Sequence, residues 1–315
     1  MTRRPLFLIA GLVCATAPMV AQQPVFRGTG DAVRVFVTVS DRDGRLVTTL
    51  PREAFELRDE GKPQPITLFD NTPQPIRLIV MLDVSGSMEG NLPLLRDAAE
   101  QLFRRLRADD LVRVGSFGEA ITISPEFTRD PGSLRTALPD AVPPDAPTPL
   151  WKALDEAMEA FGDEGDERRV ILVLSDGKDS GPMGFRPSTS SQAEVIDRAR
   201  KEAVMIYAIG LGSRSTRRQA PGGIGLGGLQ AALTADLPDP GLARVAEETG
   251  GGYTEIRFGQ DLAAAFAQVA DELHGQYLLG FSPPKRDGRV HDIDVRVGQR
   301  GLKPRARKSY VAPKA

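Results

Sequence analysis

Three stretches of this chain are almost continuously apolar: I-R-L-I-V-M-L (Ile76–Leu82), R-V-I-L-V-L (Arg169–Leu174) and V-M-I-Y-A-I (Val204–Ile209). A strand that is apolar on both faces needs cover on both, which an antiparallel hairpin open to water on one side does not give it. Amphipathic helical patterns lie between the three. Pro93–Arg107 carries Leu94, Leu95, Ala98, Leu102 and Leu106 at helical spacing, and Leu150–Phe161 carries Leu150, Leu154, Met158 and Phe161. Further helical patterns cover Ala193–Glu202, Leu242–Glu248 and Leu262–Leu273, with shorter strands expected at Leu111–Phe117, Ala120–Ile123 and Tyr253–Ile256. Apolar strands alternating with amphipathic helices predict an α/β fold: a doubly wound, mainly parallel sheet over residues 73–275.

The flanks follow a different period. V-R-V-F-V-T-V (Val33–Val39) alternates strictly and puts four valines on one face, and A-F-E-L-R and P-I-T-L-F follow, separated by turns. Near the other end, Y-L-L-G-F, H-D-I-D-V-R-V and R-K-S-Y-V-A repeat the pattern. Neither set has enough strands for a sheet that is stable alone, so segments 22–72 and 276–315 are expected to pair into one small β domain. The basic run R-G-L-K-P-R-A-R-K-S-Y reads as the solvated face of an edge strand.

Residues 1–21 begin with Arg3 and Arg4, continue into an apolar run and end in small residues, the pattern of a signal peptide. Export to the periplasm, the cell surface or the medium is expected, by the general or the twin-arginine route, with no membrane span after signal removal. The single cysteine, Cys14, falls within this segment.

At the end of the first apolar strand the sequence turns to D-V-S-G-S (83–87), and after the second to S-D-G-K-D (175–179). Ligands of doubly wound sheets collect at the carboxyl ends of the strands, so Asp83 and Asp176 converge there. Asp83, Ser85 and Ser87 alone are compatible with a metal loop, a nucleophile or a helix cap. D-A-P-T-P-L-W-K-A-L adds Thr148 at a turn before the next helix. Together, in this order, D-V-S-G-S, T-P-L-W-K-A-L and S-D-G resemble the von Willebrand factor A domain and its metal-ion-dependent adhesion site. More loosely, R-V-F-V-T-V-S-D-R-D-G-R-L-V, E-A-F-E-L-R-D-E-G-K-P-Q and G-L-K-P-R-A-R-K-S-Y resemble the exported bacterial proteins called VWFA-related. The resemblance implies that Ser85, Ser87 and Thr148 bind Mg²⁺ or Mn²⁺ through hydroxyls, with Asp83 and Asp176 acting mainly through waters or hydrogen bonds. It implies a non-catalytic binding protein whose ion recognises an Asp or Glu of a protein ligand.

Rival readings have less to stand on. A formal charge of −2 gives no reason to expect nucleic acid as a partner. G-G-I-G-L-G-G (222–228) contains G-x-G-x-x-G but follows no strand, unlike a dinucleotide-binding turn. Of the two histidines, His274 ends a helix and His291 opens a strand as a surface residue, so neither reads as the base of a nucleophile. A cell-envelope scaffold with little metal dependence, and a Mg²⁺-dependent hydrolase, are the alternatives. Trp151 is expected to pack its helix rather than to rim the site.

Overall fold

The computed structural model describes residues 32–162, 167–175, 179, 190–212, 240–256 and 261–314. The segment read as a signal peptide, Asp176 and the glycine run 222–228 lie outside them. Val33, Val35, Val37 and Val39 all turn inward from strand β1 (Val33–Ser40), as their alternation requires. Strands β2 (Phe55–Asp59), β3 (Lys62–Gln64) and β4 (Leu68–Asp70) follow.

The middle of the chain then alternates in type. β5 (Ile76–Asp83) leads through a 3-10 segment (Gly86–Asn91) to α1 (Leu92–Arg105), β6 (Leu111–Phe117), β7 (Ile121–Ile123), α2 (Pro131–Thr136) and α3 (Leu150–Glu159). After these come β8 (Arg168–Ser175), α4 (Gln192–Glu202), β9 (Met205–Leu211), α5 (Pro240–Thr249), β10 (Tyr253–Ile256) and α6 (Leu262–His274). The six strands form one sheet in the order β10-β9-β8-β5-β6-β7, parallel except where β7 returns beside β6. All eight residues of β5 are buried. One face, with Leu78, Val80 and Leu82, packs on α1, α2 and α6; the other, with Ile79 and Met81, packs on α3, α4 and α5. Trp151 is buried in this second layer. Leu94, counted in the apolar stripe of its helix, is instead 57% exposed, because the buried arc of α1 runs through Leu95, Ala98, Ala99 and Leu102.

The last strands are β11 (Tyr277–Phe281), β12 (Val290–Val297), β13 (Lys303–Arg305) and β14 (Ser309–Val311). The two chain ends pair as expected, in two four-stranded sheets: β13-β1-β11-β4 and β14-β12-β2-β3. β1 takes both of its neighbours, β11 and β13, from the far end of the chain, and β2 pairs with β12 from Phe55↔Val297 to Asp59↔Ile293. The inner faces of both sheets share one core around Val35, Val37, Leu57, Tyr277 and Leu279. The basic tail is not simply a solvated face. Lys303 is exposed, whereas Arg305 pairs with Glu272 of α6 and Arg307 donates to the Arg34 carbonyl at 2.7 Å.

Candidate metal centre

β5 is the strand at which the winding of the sheet reverses: the chain leaves it for β6 on one side and returns to β8 on the other. The carboxyl end of such a strand opens into a crevice that no crossover covers. Asp83 closes β5 at this point and is fully buried. An ionised carboxylate in that position needs donors on both oxygens. Oδ1 accepts the Ser85 backbone N–H at 2.8 Å, and Oδ2 accepts the Ser175 hydroxyl at 2.5 Å. Ser175 ends β8 and is itself buried.

From Asp83 the backbone turns outward. Ser85 is extended (φ −63°, ψ 161°) and leads into the 3-10 segment, where the Met88 N–H donates back to the Ser85 carbonyl at 2.9 Å. This turn sets the Ser85 and Ser87 hydroxyls 3.1 Å apart, with Ser85 buried and Ser87 exposed. A second loop closes on it: the Gly86 N–H donates to the Ala146 carbonyl at 3.2 Å, and a Cβ on Gly86 would stand 2.9 Å from the Asp145 nitrogen. Glycine is needed here because the approaching atoms are backbone. Asp145 has φ +59°, a left-handed turn that Asp tolerates, and the loop then runs to Thr148, which is 7% exposed just before α3. The Asp179 carboxylate accepts the Trp151 N–H at 3.1 Å in the first turn of that helix.

The fold therefore gathers Asp83, Ser85 and Ser87 on one turn and lays the loop that carries Thr148 against it. Asp176 follows Ser175 directly in the chain but lies outside the described residues. No group of three or more His, Cys, Asp or Glu that could hold a metal occurs among the described residues. The oxygens assembled here are hydroxyls around one carboxylate, a hard donor set suited to Mg²⁺ or Mn²⁺ rather than to a soft ion. Ser175 is the member that sequence reading missed. Its signal was a hydroxyl ending an otherwise apolar strand, one residue before a carboxylate already singled out.

Residues 78–178 match the family model of the von Willebrand factor type A domain. This segment is a von Willebrand factor type A domain. The match spans about a third of the chain. Among solved structures, BatB of Bacteroides thetaiotaomicron is 18% identical, with 63% of this chain and 98% of that one covered and a TM-score of 0.46. A von Willebrand factor type A protein of Catenulispora acidiphila is 12% identical, with 90% and 75% covered and a TM-score of 0.48. Proximal thread matrix protein 1 of the mussel byssus, solved with zinc in its metal-ion-dependent adhesion site, is 16% identical, with 68% and 49% covered and a TM-score of 0.47. No curated protein sequence matches the chain at a significant level.

The histidines lie away from this site. His274 Nε2 is 2.8 Å from Asp110 Oδ2, and Asp110 also accepts the Ile76 N–H, so both sit at the opening end of β5. Seven strand steps, about 23 Å, separate Ile76 from Asp83. His291, expected at the surface, is buried in the terminal β sheets at 4% exposure. None of the described helices is long and apolar enough to cross a membrane.

Proposed function

We propose that this chain is an exported, non-catalytic binding protein whose type A domain holds a divalent cation and uses it to capture an acidic side chain of a protein ligand. Ser85, Ser87 and Thr148 would hold the ion through their hydroxyls, with Asp83 and Asp176 acting around it. The observation that carries this reading is Asp83, buried yet fixed on both oxygens by Ser85 and Ser175, beneath a pair of hydroxyls 3.1 Å apart. A carboxylate already engaged on both oxygens orients the hydroxyls beside it and neutralises the ion only in part. A hard ion held mostly by neutral oxygens keeps net positive charge and an open position for a carboxylate from outside. The proposed organisation is a signal peptide over 1–21, the type A domain over 73–275, and a supporting β domain from 22–72 and 276–315.

Calorimetric titration of residues 22–315 with Mg²⁺ and Mn²⁺, beside Asp83→Ala and Ser85→Ala, tests this. Saturable binding is expected in the wild type alone, with about 2.7 kcal/mol of added stability at a hundredfold excess over Kd. An acidic protein ligand should then be captured in Mg²⁺ and released in EDTA. Wild-type protein that binds neither ion would remove the mechanism and leave a cell-envelope scaffold as the better reading. Phosphoester turnover abolished by Asp83→Ala would instead favour a hydrolase.

A further inference from the structure

Three loops close on the serine turn, and each brings an exposed carboxylate to its rim. The first is the turn's own 3-10 segment, which carries Glu89. The second follows β6. There the Val84 N–H donates to the Phe117 carbonyl at 2.9 Å, and a Cβ on Gly118 would stand 3.0 Å from the Val84 carbonyl oxygen. Glu119 is the next residue. The third loop is the one pressed against Gly86, to which Asp145 supplies the approaching backbone atoms. Glu89, Glu119 and Asp145 are all exposed, and none makes a side-chain hydrogen bond or ion pair with another of the described residues.

The same loops supply nothing to offset them. Residues 84–92, 118–120 and 139–149 hold Glu89, Glu119, Asp140 and Asp145, and no Lys or Arg. The cations that border them are engaged elsewhere: Arg96 donates to the Leu138 and Pro139 carbonyls, and Lys152 pairs with Glu156. In sequence, S-D-G-K-D adds two aspartates for its one lysine. Carboxylates grouped around one turn repel any anion that approaches it. With the bound ion proposed above, on which this inference rests, the hydroxyls hold a positive centre inside that negative rim. A lone Asp or Glu is drawn to the centre and opposed by the rim, whereas an acidic side chain with basic neighbours meets attraction from both.

We propose that the protein ligand of this domain carries Lys or Arg beside the acidic residue that the ion takes, and that Glu89, Glu119 and Asp145 select for those flanking charges. Asp145 is the best placed of the three, because its Cα lies 3.2 Å from where a Cβ on Gly86 would stand, between the two serines. Each exposed pair contributes up to about fivefold in affinity, and less as salt rises.

Immobilised peptides carrying one Glu between Gly, Lys or Glu neighbours, offered to the full chain in Mg²⁺, test this. The Lys-flanked peptide should bind about fivefold more tightly than the Gly-flanked one, and the Glu-flanked one least. Glu89→Gln, Glu119→Gln and Asp145→Asn together should bring the three within about twofold of one another. Asn tolerates the left-handed backbone at position 145, so the loop is kept. None of the three residues is a proposed ligand of the ion, so the variant should still bind Mg²⁺ in calorimetry. Equal binding of the three peptides by Mg²⁺-loaded wild type, capture of none of them, or an order that survives in the variant would overturn the inference and leave the metal centre standing. Undiminished retention of the Lys-flanked peptide in EDTA, or with Gln in place of its Glu, would overturn it too, because the rim would then bind cations without the ion. Wild-type protein that binds no Mg²⁺ would overturn the metal reading itself, and this inference with it.

Discussion

At the scale of single residues, the candidate centre depends on two that the proposed function does not count among the ligands of an ion. Ser175 donates to the Asp83 oxygen that Ser85 does not reach. Removing that hydroxyl takes away one of the donors that fix this buried carboxylate. Ser175→Ala should therefore weaken Mg²⁺ or Mn²⁺ binding by about 10–100-fold, the usual effect of losing a partner that orients a metal ligand; calorimetry beside the wild type reads it. Gly86 acts through space. A methyl group there would meet the Asp145 nitrogen at 2.9 Å and its Cα at 3.2 Å, and backbone cannot swing aside as a side-chain tip can. Gly86→Ala should cost about 1–3 kcal/mol by overpacking and separate the serine turn from the loop carrying Thr148. A lower Tm with weaker metal binding is expected; an unchanged Tm would mean that the loops are not closed on each other in solution.

At the scale of elements, buried polar groups decide where the helices sit. Asp110 precedes β6 and accepts three donors: the Ile76 N–H at the start of β5, the Arg107 N–H, and His274 at the end of α6. Burial pushes its carboxyl up, but these bonds, His274 foremost, outweigh it and hold it below the ordinary range. A depressed carboxylate contributes stability above its unfolded value near 3.9 and loses it as pH falls further. Asp110→Asn should therefore melt lower at pH 7 and lose less of its Tm than the wild type when titrated from pH 5 to pH 3. At the start of α4, Ser191 and Glu194 form a reciprocal cap, and Ser191→Ala should cost about 1 kcal/mol in thermal melts. These elements were legible in the sequence wherever periodicity was strong. The three apolar strands and the amphipathic helices stand within a few residues of their expected places, and D-V-S-G-S closes β5 as its apolar run implied. What could not be read was set by tertiary partners. His291 has polar neighbours in sequence yet is buried, because Asp59 and Tyr310 come to it across strand pairs. Leu94 has the right spacing but falls just outside the arc that α1 buries. Arg305 sits in a basic run, and only the return of β13 beside β1 brings it to Glu272.

At the scale of the whole molecule, the six-stranded sheet with its helices and the terminal sheets meet across a polar seam, and residues 31–315 form one compact unit. Arg168 opens β8, donates to Gln276 Oε1 at 2.6 Å and to the Leu273 carbonyl at 2.9 Å, and lies over the Phe36 ring of β1 at 4.7 Å. Burial lowers the Arg168 guanidinium to about 10, so it is charged at neutral pH and caps the carboxyl end of α6. The Gln276 amide reaches on to Thr38 of β1 at 2.7 Å and to Tyr207 of β9 at 3.2 Å. One side chain thus joins strands of both parts, and Gln276→Ala, which takes one partner each from Arg168, Thr38 and Tyr207, should cost about 1–3 kcal/mol. The seam also determines how the chain unfolds. Trp151 lies in the core of the type A domain and is the only tryptophan, so its fluorescence reports that part, while far-ultraviolet circular dichroism reports all the sheets. If the seam couples them, the two signals follow one transition in the full chain. A chain ending at residue 275 takes β11 and β13 from β1 and β12 from β2, and uncovers Phe36 and Tyr207. That truncation should melt broadly and bind an apolar dye. Two separate transitions in the full chain, with a truncation that melts as sharply as the first of them, would instead show a type A domain that folds without the chain ends and a seam that only docks it.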